Sequence, residues 1–414
     1  MKVLESNFKK WFIVFSAGMY FFYEYIQMTL FNAIPIQLLN SFHISAASLA
    51  KLASCYFLMQ IILLFPAGIL LDRLNPKKVI VLAMSISMIG TFLFSYAHNF
   101  DLAMFARLLS GIGGAFAFLS CIKLASEWFP DKMSLATGFL VTLAVSGGFI
   151  AQTPFAYLTG HTSWRIALRV LTVFGVIILT NIIFNVKSNP TVRIKNKNTI
   201  SIFQQIKLAL LNSQTIVSGF YIALMNLPIC ILGALWGGLY LEETHHYSNV
   251  LSTFVASMIF VGVIIGSPLF GYFSERAKKQ KNLPMIFGAL LSLLVVSLII
   301  FSASNNIFLL VGLFLLLGIT SSAQCIGYSV IVENNRIDLA ATATSIASII
   351  IMGAAALVKI LYGWILDHYT SHVINNVPVY PHAAFQSAML ILPAGFILAL
   401  LAVVFMRRIP SSGL

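Results

Sequence analysis

The sequence predicts an all-α membrane protein whose twelve transmembrane helices form two pseudo-symmetric six-helix bundles. The first indication is composition: 59% of the 414 residues are hydrophobic and 9% are charged, against roughly 45–50% and about 25% in soluble domains. A lipid bilayer solvates apolar side chains that a soluble protein of this composition would have to expose. The other two indications are an internal repeat and the side on which the basic residues fall.

A short polar motif occurs twice, about half a chain length apart. Gly68 begins the sequence Gly-Ile-Leu-Leu-Asp-Arg, and Gly271 begins Gly-Tyr-Phe-Ser-Glu-Arg. Each copy stands where a long apolar run ends and a basic turn begins. Further along, Gly111 aligns with Gly318 at a slightly larger offset. The repeat predicts two homologous helical bundles.

Twelve apolar runs are long enough to span a bilayer, since about 20 helical residues cross its hydrocarbon core. They lie near residues 11–39, 47–71, 79–97, 102–126, 134–158, 166–185, 215–241, 250–273, 284–303, 307–332, 339–366 and 383–406. The stretch between the sixth and seventh runs is basic and polar. We therefore predict an N-terminal bundle over 1–186, a cytoplasmic linker over 187–214 and a C-terminal bundle over 215–414.

The positive charge of the chain orients it in the membrane. The formal net charge is +13, and most of the 25 lysines and arginines fall in segments on one side of the predicted spans. Basic segments of this kind stay in the cytoplasm, which places both termini there. The charge is therefore a topology signal, and we expect no nucleic-acid partner.

Several classes of protein are disfavoured by what the chain contains. The four cysteines lie inside apolar runs without CxxC spacing, which is typical of helix packing. The first apolar run is too long for a cleavable signal peptide. No nucleotide-binding loop, metal-ligand spacing or nucleophile motif occurs in the sequence. We expect neither an enzyme nor a bound metal or cofactor.

Two motifs resemble those of the major facilitator superfamily. Gly68-x3-Asp72-Arg73, between the second and third runs, is similar to the family's loop signature. Arg107-Leu-Leu-Ser-Gly-Ile-Gly-Gly, in the fourth run, is similar to its second motif. The resemblance covers the whole chain, and it implies a secondary transporter with two six-helix halves.

A narrower resemblance is to one branch of that superfamily. This branch includes lysosomal dipeptide carriers and transporters of amino acids, nucleosides or siderophores in intracellular bacteria. The segments that carry the resemblance are Tyr23-Glu24, Glu127-Trp-Phe-Pro, Gln152-Thr-Pro, Trp164-Arg165 and Gly363-Trp-Ile-Leu-Asp367. Members often have an arginine shortly after the Tyr-Glu pair, where this chain has Met28.

Glu24 and Arg107 are the predicted proton-coupling residues. Ionisable side chains inside spans are functional candidates because the membrane disfavours charge. Among the twelve acidic residues only Glu24 lies near the middle of a span. A carboxyl that alternates between water and closure can take up and release a proton, and the resemblance implies that Arg107 acts with it. The alternative is a fixed ion pair of Glu24 with Arg107 or Lys359.

Lys359 and Gln152 are the leading candidates for solute binding. They align in the repeat, and each is a polar residue inside an apolar run. Lys359 would hold a carboxylate; the alternative is a lysine that extends toward the membrane interface. Further polar or aromatic candidates on the same kind of helix are Tyr20, Tyr23, Asn226 and Gln324.

Asp72, Arg73, Glu275 and Arg276 belong to the two copies of the repeated motif. The resemblance implies that they form a gate, in which an acid beside a helix N-terminus and a basic partner separate as the cytoplasmic side opens. We expect no solute contact from them.

These predictions combine into a proton-coupled secondary transporter for a small zwitterionic or anionic organic solute. Its solute would bind near the membrane midplane between the halves, and alternating access would carry it across. Its partners would be the solute, the proton and the lipid bilayer, and we expect a monomer in a bacterial inner membrane. The alternatives are a drug or metabolite efflux antiporter, a siderophore or nucleoside transporter, and a receptor that has kept the fold.

Overall fold

The computed structural model describes residues 2–129, 133–187, 202–277, 280–301, 306–335, 339–369, 372–374 and 377–406. Nearly all of the described chain is helical, which confirms the predicted fold class. The α-helices are α1 (Lys2–Thr29), α2 (Pro35–Phe42), α3 (Ala46–Arg73), α4 (Pro76–Ser95), α5 (Phe100–Trp128), α6 (Met133–Ile150), α7 (Thr153–His161), α8 (Trp164–Asn185), α9 (Ile202–Leu211), α10 (Ser213–Met225), α11 (Gly237–His245), α12 (Asn249–Ala277), α13 (Asn282–Phe301), α14 (Ile307–Ser321), α15 (Gln324–Glu333), α16 (Ala340–His368), α17 (His382–Met389) and α18 (Ile391–Phe405).

Helices of the described chain lie along all twelve predicted runs, and ten or eleven of these qualify as membrane spans. Ten helical segments of the described residues are long and apolar enough to cross a membrane. An eleventh consists of Ser213–Met225 and Ile229–His245, which meet at a bend of 42°. Helix α1, which contains most of the first predicted run, is less apolar than these segments and carries Tyr20, Glu24 and Gln27.

The first long helix of each half is interrupted, in two different ways. After α1, a tight 3-10 turn covers Leu30–Ala33 before α2 begins at Pro35. Proline fits the first helical position because its missing N–H would have had no helical partner there. After α10, a wide π-helix covers Ile229–Trp236. Such irregular turns often occur at functional sites.

The structure adds elements that the sequence did not predict. Strands β1 (His372–Ile374) and β2 (Val377–Val379) pair antiparallel, with Val373 opposite Pro378. Helix α9 lies within the predicted linker over 187–214. It forms because Ile202, Ile206 and Leu210 recur at helical spacing.

The chain divides into two compact units. The first contains residues 1–44 and 51–195, and the second contains residues 45–50 and 196–414. The main boundary therefore falls inside the predicted linker. The first turn of α3 groups with the second unit, although the rest of α3 belongs to the first.

Each unit contains the same close crossing of two helices. In the first unit, a Cβ at Gly111 of α5 would lie 2.4 Å from the backbone oxygen of Tyr56 in α3. In the second, a Cβ at Gly318 of α14 would lie 2.2 Å from the backbone oxygen of Ile259 in α12. Tyr56 and Ile259 precede the repeated polar motif by the same number of residues. The two glycines therefore serve the same purpose, as their alignment suggests.

Candidate functional site

Glu24 lies inside the first unit, where only 2% of its surface is exposed. The hydroxyl of Tyr56 lies 2.9 Å from its Oε2 atom and donates to it. Oε1 has no hydrogen-bond partner among the residues that the structure describes. It lies against Gly113, where a Cβ would come within 2.8 Å of it. The glycine of α5 thus leaves space for the carboxylate of α1.

Arg107 is buried beside this carboxylate but forms no ion pair with it in the described chain. Its Nη2 donates to the backbone oxygen of Gln27 at 3.1 Å. The guanidinium lies over the rings of Phe31, at 4.7 Å, and Tyr56, at 5.0 Å. Nε and Nη1 have no hydrogen-bond partner within the described residues. Tyr56 therefore contacts both the acid and the base.

The other tyrosines of α1 are bonded within the same unit. The hydroxyl of Tyr20 donates to the backbone oxygen of Gly113. The hydroxyl of Tyr23 lies 3.3 Å from Oγ1 of Thr91, which also accepts from Nε2 of Gln27 at 2.6 Å. Both tyrosines, predicted from the sequence as solute ligands, here help to hold α1, α4 and α5 together.

Gln152 is fully buried at the junction of α6 and α7. Its Oε1 accepts from Nδ2 of Asn32 at 2.6 Å, and its Nε2 donates to the backbone oxygen of Thr29 at 3.3 Å. Both ends of the amide are thus bonded at the 3-10 turn that follows α1. Irregular backbone needs such partners because its own helical hydrogen bonds are broken.

Lys359 is fully buried in α16, so its ammonium group does not reach a surface. Tyr362, one turn later, stacks on Trp236 of the π-helix with ring centroids 5.4 Å apart. Nε1 of Trp236 and the hydroxyl of Tyr362 are buried without a hydrogen-bond partner among the described residues. Lys359 thus lies one helical turn from Tyr362, whose ring stacks on Trp236.

The remaining predicted solute ligands are placed separately. Asn226 ends α10, and its Nδ2 lies 3.4 Å from Sγ of Cys230. Gln324 begins α15 and is half-buried.

Of the predicted gate residues, Arg276 is exposed and its guanidinium lies 4.7 Å from the ring centroid of Tyr272. The side chains of Asp72, Arg73 and Glu275 lie outside the described part of the structure.

Asp367 caps the first turn of α3, an arrangement that the sequence did not reveal. Its two carboxylate oxygens accept from the backbone N–H groups of Ala46, at 3.0 Å, and Ala47, at 2.9 Å. Tyr380 donates to the same carboxylate at 2.9 Å. The pKa of its phenol is raised, mainly by burial and secondly by the negative charge of Asp367. A Cβ at Gly363 would lie 2.8 Å from the oxygen of Ala46. The sequence does contain one indication of this cap, because Gly363 and Asp367 have the same spacing as Gly68 and Asp72 in the repeated motif.

Tyr56 is the central residue that sequence reasoning missed. An aromatic residue in an apolar run reads as packing, and α3 was not among the predicted proton-site helices.

The comparisons with known proteins agree with this architecture. The model of the Major Facilitator Superfamily matches residues 15–358 and 237–413. An uncharacterized transporter of Bacillus subtilis (strain 168), YybO, is 26% identical over 184 residues, 44% of this chain and 42% of that protein. The chain thus spans less than half the length of that relative. A probable hexose phosphate transport protein of Chlamydia pneumoniae is 22% identical over 318 residues, 69% of each chain.

A solved structure shows the same fold over nearly the whole chain. It is a bacterial homolog of the human lysosomal transporter Spinster, in an inward-facing and unoccupied conformation. The TM-score is 0.78 at 14% sequence identity, covering 96% of this chain and 98% of that one. With the family model matched along most of its length, the chain belongs to the major facilitator superfamily of membrane transporters.

Proposed function

We propose that this chain is a proton-coupled symporter for a small anionic or zwitterionic organic solute. The observation that carries the coupling is Glu24, a buried carboxyl that accepts a hydrogen bond from Tyr56 and forms no ion pair with Arg107 in the described chain. An ionised carboxylate in such a place is disfavoured unless its surroundings support the charge. When water gains or loses access to Glu24, its preferred protonation state changes. That dependence is what coupling to a proton gradient requires.

The chemistry of the second unit supports an anionic group on the solute. Lys359 is a buried cation, and the donors of Trp236 and Tyr362 stand on adjoining turns. Leaving the buried donors of Trp236 and Tyr362 unsatisfied costs about 1–3 kcal/mol each. A carboxylate has several acceptor positions and would satisfy more than one of these donors. Amino acids, short peptides and carboxylate metabolites carry this group.

The cellular setting is part of the same proposal. We place the protein as a monomer in a bacterial inner membrane, with both termini in the cytoplasm. The support is the one-sided distribution of lysine and arginine along the sequence. Alternating access between the two sides of the membrane would carry the solute and the proton together.

A stability screen of the purified protein tests the solute class. A ligand that binds the folded state at one hundred times its Kd stabilises it by about 2.7 kcal/mol. The panel comprises amino acids, dipeptides, organic acids, sugar phosphates, nucleosides, siderophores and cationic drugs. We expect stabilisation by carboxylate-bearing compounds but not by their esters, and a loss of that stabilisation in Lys359→Ala.

Transport in proteoliposomes tests the coupling. An imposed inward proton gradient should drive accumulation of the solute that the screen identifies, and a protonophore should abolish it. Stabilisation by cationic drugs alone, unchanged in Lys359→Ala, would contradict the proposal and indicate efflux. Hits confined to nucleosides or siderophores would move the proposal to those solutes. Binding without counterflow of labelled solute would indicate a receptor.

A further inference from the structure

We propose that the hydroxyl of Tyr56 changes its hydrogen-bond acceptor when Glu24 gains or loses a proton. This inference rests on the proposed coupling role of Glu24. The hydroxyl of Tyr56 has two acceptors within reach on α1. One is Oε2 of Glu24 at 2.9 Å, and the other is the backbone oxygen of the same residue at 3.2 Å. A phenol has a single O–H proton, so a full-strength bond goes to one acceptor at a time.

The two protonation states use these acceptors differently. When Glu24 is ionised, Tyr56 donates to Oε2, because a bond to a charged acceptor is the stronger one. When Glu24 carries a proton on Oε2, its O–H donates to the oxygen of Tyr56. The Tyr56 O–H then rotates to the backbone oxygen of Glu24. Tyrosine stays neutral throughout, and the only proton gained or lost is that of Glu24.

The surroundings fix the ring of Tyr56 while leaving its hydroxyl proton free to rotate. The ring lies beneath the guanidinium of Arg107. A Cβ at Gly114 would lie 2.4 Å from the hydroxyl oxygen, so this glycine provides the space for it. The backbone oxygen of Tyr56 is packed on Gly111. The exchange therefore needs no displacement of a heavy atom.

The other tyrosines and the arginine of this cluster bond to groups other than the carboxylate, and the arginines of α8, which packs on α1, contact Ala97 and Tyr96. Tyr20 donates to Gly113, Tyr23 is bonded to Thr91, and Arg107 donates to Gln27. The thiol groups near this cluster belong to Cys55 and Cys121, and that of Cys121 donates to the backbone oxygen of Ala17. Helix α6, which packs on α1, contains no titratable residue. Among the titratable groups, Tyr56 is the one that bonds directly to the carboxylate.

The exchange changes how α1 is joined to α3. In the ionised state, the bond from α3 ends on a side chain of α1; in the protonated state, it ends on the α1 backbone. Helix α3 is also the helix whose first turn is capped by Asp367. Tyr56 is thus a positioning residue: the protonation state of Glu24 determines which atom of α1 is bonded to α3.

Difference infrared spectroscopy of the full-length protein in lipid nanodiscs, titrated with pH, tests this inference without a solute. The C=O stretch of protonated Glu24 is assigned by its loss in Glu24→Gln. In the wild type, we expect this band at a wavenumber lowered by hydrogen bonding, together with a tyrosine C–O band that changes over the same pH range. In Tyr56→Phe, the carboxyl band should move to higher wavenumber and the tyrosine change should disappear.

Tyr23→Phe is the matched control, because it removes a buried hydroxyl of α1 that bonds to Thr91 and not to the carboxylate. It should leave both bands as in the wild type. Gly114→Ala is the second variant should Tyr56→Phe not fold, because it displaces the hydroxyl without removing it. It should also shift the carboxyl band to higher wavenumber.

The outcomes separate this inference from the proposed function. A Glu24 band that is identical in the wild type and in the variants at positions 56 and 114 would overturn the role of Tyr56 and leave coupling by Glu24 intact. The absence of any Glu24 band over the pH range in which the protein is folded would overturn the coupling role itself.

Discussion

The two units contain the same helix crossing, but the side chain at the crossing is polar in the first unit and apolar in the second. In the first unit Gly111 packs on the backbone of Tyr56, whose phenol bonds to Glu24. In the second unit Gly318 packs equally closely on Ile259, which carries no polar group. Close backbone approach is therefore what the shared architecture requires at this point. The polar side chains of the first unit are an addition to it.

The same contrast extends one turn along the helix. Arg107 precedes Gly111 by the same interval that separates Phe314 from Gly318. Both side chains are buried, one as a cation and the other as a hydrocarbon ring. The buried charge of the second unit, Lys359, instead lies on α16. This difference between two copies of one plan supports the proposed division, with the proton handled in the first unit and the solute anion in the second.

The largest expected effect comes from removing the acid of the first unit. Glu24→Gln should abolish proton-driven accumulation, because the amide cannot carry the coupling proton, while exchange of labelled solute continues. Asp101→Asn is the control, since Asp101 is an exposed acid at the start of α5. Uptake of the solute into proteoliposomes with and without a pH gradient measures both. If Glu24→Gln concentrates solute as well as the wild type, the proton site lies elsewhere.

The next effect concerns the cation of the second unit. Lys359→Ala should weaken solute binding about ten- to hundred-fold, since a hydrogen bond to a charged group contributes about 1.5–3 kcal/mol. Lys359→Arg should retain part of the affinity with altered selectivity. Lys51→Ala, which removes an exposed lysine of α3, should have no effect. Equal affinity of the alanine variant and the wild type, measured by calorimetry, would remove the main argument for an anionic solute.

The shared crossing should respond equally in both units. Gly111→Ala and Gly318→Ala should each lower the free energy of unfolding by about 1–3 kcal/mol, because the added methyl group meets a backbone oxygen. Gly138→Ala and Gly312→Ala are the controls, since a Cβ at either position meets no atom within 4 Å. Denaturant unfolding in detergent compares the four variants. Tolerance at one crossing and not at the other would show that the units differ in architecture as well as in chemistry.

The smallest effect is expected at the cap of α3. Asp367→Ala removes the carboxylate that accepts from two backbone N–H groups, although the N–H of Ala46 keeps the hydroxyl of Tyr380 as an acceptor. The loss should cost about 0.5–2 kcal/mol of stability. Asp367→Asn keeps an acceptor oxygen and should cost less. The same unfolding measurement checks both variants, and equal losses would mean that the charge of Asp367 matters more than its hydrogen bonds.

The sequence predicted those features whose physical cause is visible along the chain. Apolar runs, basic segments and repeated glycines indicate spans and a repeat directly. Glu24 and Arg107 could be recognised because a charge stands out in an apolar run. Tyr56 could not, since its importance depends on which face of α3 meets α1. Gln152 could be identified as unusual, but its partners Asn32 and Thr29 depend on the 3-10 turn after α1.

Irregular local structure was the least predictable part of the fold. The residues of Ile229–Trp236 are apolar and would fit an ordinary α-helix, so nothing in their pattern indicates the wider π turn. The hairpin of β1 and β2 consists of two three-residue strands, too short for an alternating pattern to stand out. Tertiary packing decides such elements.

The cap of α3 has a consequence for the order in which this protein is made. The N–H of Ala46 donates both to Asp367, 321 residues away, and to the hydroxyl oxygen of Tyr380, 334 residues away. At a synthesis rate of about 5–20 residues per second, the two cap residues reach the end of the ribosome roughly 15–65 seconds after Ala46 does. Until then the N–H groups of Ala46 and Ala47 lack these acceptors. Helix α3 is thus synthesised early but receives its cap only near the end of synthesis. A chain interrupted before α16 is finished would keep α3 uncapped and would be a target for cellular quality control.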